Sequence, residues 1–351
     1  MRPSKGIVIF SLLLIQVLGL VTIWSTAPEL FVTQLAFTIA GIIIIYFLSK
    51  SDIDLFFSLS WVVYISCILL LVITMFLGKN IRGSVRWIDL GIFNLQTSEL
   101  AKPLLALFYS QYLAKNSLKK LKDFLFFFVI AIIPVIIVAK QPDLGSAMTL
   151  FFLPIALLLF SGYGKKVLLV GFISLAIAIP IESVLLKPYQ RQRIESFINP
   201  YKDPKGSGYN VIQATIAIGS GGLFGKGVKL GTQSHLNFLP ERHTDFIFAS
   251  YAEEFGLLGI LVLFSAYYFL LRYFLKIAGF FKHTQYYLFS LAVFTVFLFQ
   301  IIINVGMNLG IMPVTGITLP IFSYGGSSLI SFAILIGLQL RLLDLITPFE
   351  L

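Results

Sequence analysis

Long apolar runs dominate the chain. About 20 predominantly apolar residues span a bilayer core as a helix. Runs of that kind fall at 7–26, 31–49, 55–77, 123–139, 145–162, 167–186, 246–271, 285–309 and 320–342. A tenth, from Thr97 to Leu113, is long enough but contains Glu99, Lys102 and Pro103. The links between runs are short except for residues 187–244. The pattern predicts an all-α polytopic membrane protein of about ten transmembrane helices, with a large extracytoplasmic loop between helices 7 and 8. It reads as a single integral membrane domain over 1–351: helices 1–7 in 1–186, the loop in 187–244, and helices 8–10 in 245–351.

Lys and Arg in short loops mark the cytoplasmic side. With ten spans, the N-terminal side carries Arg2, Lys5, Lys50, Lys115, Lys119, Lys120, Lys122, Lys165, Lys166, Arg272, Lys276, Lys282 and Arg341. The short links opposite carry only Lys79, Arg82, Arg86 and Lys140. Both termini are therefore expected on the cytoplasmic side. Without the Thr97–Leu113 span the asymmetry scrambles, which supports counting it. The first run is longer than a signal-peptide core and no small-x-small cleavage site follows it, so it is expected to stay.

Composition narrows the class. Of 351 residues, 58% are apolar and 12% charged, and the mean hydropathy is +0.93. Soluble domains sit near half apolar and a quarter charged, so a cytosolic enzyme is excluded; 35 Phe and 15 Tyr exclude disorder. The net charge of +10 suits anionic lipid headgroups or anionic ligands and not nucleic acid. In the long loop Lys187, Arg191, Arg193, Lys202, Lys205, Lys226, Lys229 and Arg242 outnumber Glu195, Asp203 and Glu241, and loops of this length are usually functional. Cys67 is alone and forms no internal disulfide. His235, His243 and His283 lack metal-ligand spacing.

A charge inside a bilayer costs at least about 2.5–3.5 kcal/mol on insertion scales and needs a partner or a purpose. The intramembrane set is Glu99, Lys102, Glu182, Asp245, Glu253 and Glu254. Glu99 and Lys102 share a helix face and can pair. Thr244 is placed to cap the helix after the loop, leaving Asp245 in its first turn. Ala249 and Ala252 lie on the same face as Asp245, either as room for substrate or for close helix approach. The glycine-rich stretch Ile218–Gly227 fits neither the phosphate-loop nor the dinucleotide spacing. It suits tight turns, with backbone amides and Lys226 still able to meet an anion. A second small-residue cluster, Pro320–Ser328, opens the last span.

Several motifs resemble one family throughout. They are Arg86-Trp-Ile88, Ser98-Glu-Leu-Ala-Lys-Pro103, Gln141-Pro-Asp-Leu-Gly-Ser146, Asn199-Pro200 with Asp203-Pro204, Ile218-Gly-Ser-Gly-Gly222, Gly225-Lys-Gly227, Gly231-Thr-Gln233, Leu239 to Ala249, Asn304-Val-Gly-Met307, Pro313-Val-Thr-Gly316 and Ser323-Tyr-Gly-Gly-Ser-Ser328. In this order they resemble the SEDS proteins (shape, elongation, division and sporulation), and the RodA branch more than the FtsW branch. Thr97 and Thr318 stand where the family pattern has proline.

The resemblance implies a ten-helix peptidoglycan glycosyltransferase. It would polymerise lipid II, an undecaprenyl-diphosphate-linked disaccharide, at the outer face of the membrane during elongation and shape maintenance, with a class B penicillin-binding protein as partner. The family's essential aspartate falls on Asp245, and its other important polar residues fall on Glu99, Lys102, Asp143 and Arg86. Sugar transfer from a lipid diphosphate needs a base and positive charge. Asp245 suits the base, and Arg86, Lys102, Arg191 or Arg242 the diphosphate contact. A divalent cation, Mg²⁺ or Mn²⁺, is expected to share that role, with Asp245 either base or ligand; no organic cofactor is expected. The competing readings are a lipid II flippase and a non-catalytic scaffold for the penicillin-binding protein.

Overall fold

The computed structural model describes residues 5–81, 84–91, 93–167, 197–204, 206, 208–282 and 284–346. The predicted span 167–186, beyond its first residue, and the candidate residue Arg191 lie outside the described residues, as do Glu182 and His283. The helices are α1 (Lys5–Thr26), α2 (Pro28–Ser49), α3 (Ile53–Ser58), α4 (Ser60–Leu77), α5 (Thr97–Lys115), α6 (Leu121–Lys140) and α7 (Leu144–Phe160). After the long loop's own short helices, α8 (Tyr209–Gly221) and α9 (Thr232–His235), come α10 (Ile247–Phe280), α11 (Gln285–Asn308) and α12 (Gly326–Leu345). Seven of these are long and apolar enough to cross a membrane, and the chain is a multi-pass membrane protein.

The run with the weakest hydropathy is the innermost helix. All but a few side chains of α5 are buried, against α4, α7, α11 and α12. Helix α2, by contrast, buries only Gln34, Thr38 and Gly41 and turns Ile39, Ile42, Ile43 and Phe47 outward. A helix that meets only other helices needs no lipid-facing surface, so it tolerates charge where polar partners await it.

Two prolines show how polar side chains repair such helices. Pro103 has no N–H for the carbonyl of Glu99 four residues earlier, and Ser331 Oγ of α12 donates to that carbonyl at 2.7 Å. Pro134 likewise leaves the carbonyl of Ile130 free, and the Tyr64 hydroxyl fills it at 2.9 Å. In a bilayer, where water cannot serve, these bonds are required.

Helix α10 departs from the simple reading because it is broken at Gly256 (φ 64°, ψ −163°). The break frees the carbonyls of Glu253 and Glu254 and the amides of Leu257 and Leu258. The glycine-rich stretch takes up all four: Lys226 N to Glu253 O (2.9 Å), Gly227 N to Glu254 O (2.9 Å), Leu257 N to Gly222 O (2.9 Å) and Leu258 N to Leu223 O (3.1 Å). Gly225 has φ +80°, and a Cβ there would collide with the Glu254 carbonyl, so glycine is required for this approach. The stretch is therefore a set of tight turns. Its amides at 226 and 227 are engaged and Lys226 Nζ meets Thr232 and Glu253, both at 2.8 Å, so these groups do not form an anion cradle.

The link after α4 adds strands to an otherwise helical protein. Strands β1 (Lys79–Ile81), β2 (Ser84–Asp89) and β3 (Asn94–Gln96) form an antiparallel sheet with Trp87 opposite both Lys79 and Gln96. Gly91 (φ +80°) turns β2 into β3, and its amide donates to Asp89 Oδ1 at 2.9 Å. That bond and the Lys79 ammonium 3.0 Å away hold the Asp89 carboxyl below its usual range.

The bundle therefore has two distinct ends. One gathers the first and last helices through Lys5 and Asp344, and α3 to α11 through Asp54 and Tyr286. The other gathers the sheet, the long loop and the starts of α5, α7, α10 and α12. There Gln96 N meets Ser327 Oγ at 2.9 Å and Arg242 Nε meets Thr26 O at 2.8 Å.

Candidate functional site

The segment bearing Asp245 is fixed through its backbone. Three successive carbonyls are held by other elements: His243 O by Tyr324 N (2.9 Å), Thr244 O by Ser323 Oγ (2.9 Å), and Asp245 O by Asn304 Nδ2 and Asn308 Nδ2 (3.0 Å each). The Ser-Tyr-Gly-Gly-Ser-Ser and Asn-Val-Gly-Met motifs thus converge on this one turn. The side chain of Asp245 is partly exposed. A Cβ built on Gly316 (φ +75°) would lie 3.5 Å from Asp245 Oδ2, so the missing side chain keeps one flank of the carboxylate low. The Tyr324 ring meets His243 edge to face, with centroids 5.6 Å apart.

The predicted cap by Thr244 is not formed. Helix α10 begins at Ile247, and Thr244 Oγ1 points back to Glu241 at 3.2 Å, so Asp245 sits in the turn before the helix. The small residues of the same face serve close packing. Ala249 and Ala252 are fully buried, and Gly221 of α8 lies against the Ala252 carbonyl where a Cβ would not fit.

The other predicted residues form a second, connected group. Asp143 caps α7 by accepting from Ser146 N at 3.2 Å. Its Oδ2 also accepts from Ser98 Oγ (2.8 Å) and Gln96 Nε2 (2.9 Å), and Arg86 lies 3.4 Å from its Oδ1. Arg86, on β2, stacks at 4.2 Å over the neighbouring Trp87 ring and stays partly exposed. One residue beyond Ser98, Glu99 Oε1 receives Lys102 Nζ at 2.6 Å, as the three-residue spacing predicts. This pair is buried, Lys102 being 1% exposed, and Glu99 Oε2 has no partner.

The segment 315–317 lies between the two groups. A Cβ on Gly145, two residues after Asp143, would stand 2.7 Å from Thr315 O. Gly316 borders the Asp245 carboxylate, and Ile317 O accepts from Asn304 Nδ2 at 2.7 Å. Arg86 and Asp143 thus form one polar group, the buried Glu99–Lys102 pair adjoins it through the neighbouring residue Ser98, and Asp245 lies across this segment from them. Arg242 serves elsewhere. Besides Thr26 O it bonds Asn237, tying the loop to the end of α1.

Residues beyond the predicted set complete the picture. Asn304, Asn308, Ser323 and Gly316 frame Asp245, and the four-residue spacing of Gln300, Asn304 and Asn308 in an apolar run is the sequence signal for them. Glu253 and Glu254 are fully buried organisers of the loop. Glu253 accepts from Lys226 Nζ, Thr232 Oγ1 (3.1 Å) and Gln233 N (3.1 Å). Glu254 accepts from Ser25, Lys229 N (3.2 Å) and His235 Nε2 (3.1 Å). Among the described residues, no group of three or more His, Cys, Asp or Glu side chains could hold a metal ion.

Comparison with known proteins finds relatives over nearly the whole chain. The chain is 37% identical over 333 residues to the peptidoglycan glycosyltransferase MrdB of Escherichia coli K12, covering 93% of this chain and 89% of that one. It is 38% identical over 287 residues to a probable peptidoglycan glycosyltransferase FtsW of Aliivibrio salmonicida, covering 78% and 70%. Among solved structures, a chain of a peptidoglycan synthase complex that coordinates polymerization and crosslinking superposes with a TM-score of 0.84 at 33% identity, covering 98% of both chains. The rod shape determining protein RodA of Thermus thermophilus superposes with a TM-score of 0.74 at 29% identity, covering 98% and 97%. The family model for FtsW, RodA and SpoVE, described as cell cycle protein, matches residues 6–345. With that match running nearly end to end, the chain belongs to the FtsW/RodA/SpoVE family.

Proposed function

We propose that this chain is a peptidoglycan glycosyltransferase that polymerises lipid II at the outer face of the cytoplasmic membrane, with Asp245 as its base. The relatives' activity supports the reaction class. The observation that carries the site is the backbone-clamped, partly exposed carboxylate beside Gly316. A base must be held still while its carboxylate stays accessible to substrate, and this turn meets both demands.

In the proposed step the acceptor sugar hydroxyl attacks the anomeric carbon of the lipid-linked donor. The C–O bond to the diphosphate breaks, and Asp245 takes the hydroxyl proton. Negative charge grows on the leaving diphosphate, so nearby cations lower the barrier. Of the three candidates among the described residues, Arg86 is best placed to meet it, because it is partly exposed and only loosely held by Asp143. Lys102 is buried and paired with Glu99, and Arg242 is committed to α1. A Mg²⁺ or Mn²⁺ ion would neutralise the diphosphate, and one carboxylate plus substrate phosphates is a common way to hold Mg²⁺. With Asp245 assigned as the base, the substrate phosphates would supply most of that ion's ligands, since the described residues hold no site built of protein groups alone.

Charge asymmetry and the two distinct bundle ends together support cytoplasmic termini, with the sheet and long loop outside. A class B penicillin-binding protein is the proposed partner, in line with the synthase complex that this fold matches. The experiment is lipid II polymerisation by the wild-type protein co-purified with that partner, with Mg²⁺, with Mn²⁺ and after chelation. Glycan strands that disappear on chelation support the reading. Absence of polymer under all conditions, with headgroup translocation in vesicles, would replace it with the flippase reading; absence of both leaves the scaffold.

A further inference from the structure

Helix α10 starts without a cap of its own: Phe246, at the cap position, offers no side-chain acceptor. The first amides of a helix need one. The Ala249 amide reaches the Phe246 carbonyl at 3.1 Å and shares its hydrogen with a side-chain acceptor from another helix. Asn308 Oδ1, on the last turn of α11, receives Ala249 N at 3.1 Å. The same amide group donates through Nδ2 to Asp245 O at 3.0 Å and to Asn304 O at 2.8 Å. Asn308 is fully buried, and each of these hydrogen-bonding atoms is used. One side chain therefore joins the carbonyl of Asp245 to the helix amide four residues later. Asn304 doubles the first of these bonds and carries the 315–317 segment with it.

We propose that Asn308 is a positioning residue for Asp245, which fixes the carboxylate-bearing turn to α11 through the Asp245 carbonyl and closes the uncapped start of α10. This rests on the reading of Asp245 as the base. The two bonds have different consequences. The acceptor contact to Ala249 stabilises the helix start, as a cap would. The donor contact to Asp245 sets where the carboxylate stands, and displacement of a reacting group by about 1 Å can cost about 100-fold in rate.

Asn308→Asp probes the donor contact, because aspartate keeps the acceptor toward Ala249 and sets an oxygen, at a cost in stability, where the donor met the carbonyls of Asp245 and Asn304. Lipid II polymerisation by the co-purified complex would be measured for Asn308→Asp, Asn308→Ala and Asn304→Ala beside wild type and Asp245→Asn, with thermal unfolding of each. Asn308→Asp is expected to unfold below wild type, because a buried carboxylate oxygen then faces two carbonyls, with kcat lowered by about 10-fold or more and KM for lipid II within about twofold. Asn308→Ala is expected to lose both stability and kcat. Asn304→Ala, which leaves the cap intact, is expected to lower kcat by a smaller factor without a matching loss of stability. If Asn308→Asp and Asn304→Ala both polymerise at the wild-type rate, the positioning role is overturned and Asn308 is a cap alone. A rise in KM without a fall in kcat also overturns it. An Asp245→Asn protein that polymerises as wild type would instead overturn the underlying base assignment, so the two failures are distinguishable.

Discussion

Asp245 and Glu253 stand eight residues apart at the start of one helix, and they are opposites. At Asp245 the protein holds the backbone and leaves the carboxylate partly exposed beside a glycine. At Glu253 the carboxylate itself is held, fully buried and saturated by Lys226, Thr232 and the Gln233 amide. A carboxylate buried among donors that fill its oxygens is a structural part, whereas one that reaches the surface from a clamped backbone can meet a substrate and take a proton. The surroundings, more than the residue type, divide chemistry from architecture.

The widest separation is expected from neutralising each group. Asp245→Asn should lower polymerisation by about a thousandfold, within the range for a general base, while the protein unfolds as wild type does. Glu253→Gln should act on stability. It strands the Lys226 ammonium and weakens the bonds that hold the loop to the break in α10, at a cost of about 2–3 kcal/mol. Denaturation in detergent should show this, and Lys226→Met should recover part of it in the double variant.

Arg86→Gln sharpens the comparison from the side of substrate binding. It should raise KM for lipid II by about tenfold, as the loss of one charged hydrogen bond implies, and lower kcat as well, because the diphosphate charge that Arg86 meets grows in the transition state. The smallest effect belongs to Asp89. Its carboxyl pKa is lowered by Gly91 N–H and Lys79, so its contribution to the sheet is present above the ordinary aspartate range and is lost as pH falls through the lowered value. The difference in unfolding temperature between wild type and Asp89→Asn should therefore shrink to nothing on acidification; a difference that grows would contradict it.

Hydropathy locates the membrane helices because lipid contact requires long apolar runs, and the charge asymmetry recovers α5, whose low hydropathy follows from its central position. The Glu99–Lys102 pair is legible because its partners are one helical turn apart. The break at Gly256 is not, since 34 residues of helix with one glycine out of register read as a single run. Its repair depends on the glycine-rich stretch some thirty residues earlier, a contact that no local pattern encodes. The start of α10 is hidden for the same reason: Thr244 is the obvious local cap, yet the side chain that accepts there is Asn308, 59 residues from Ala249. The sheet of 79–96 escapes a hydropathy reading because its strands are only three to six residues long.

The central claim is that Asp245 acts in the chemistry and Glu253 in the architecture. The most direct measurement follows lipid II polymerisation and thermal unfolding in the same co-purified preparations of wild type, Asp245→Asn and Glu253→Gln. The account predicts an Asp245→Asn protein with wild-type unfolding and no detectable polymer, and a Glu253→Gln protein whose unfolding temperature drops. Polymerisation at the wild-type rate by folded Asp245→Asn protein would contradict it.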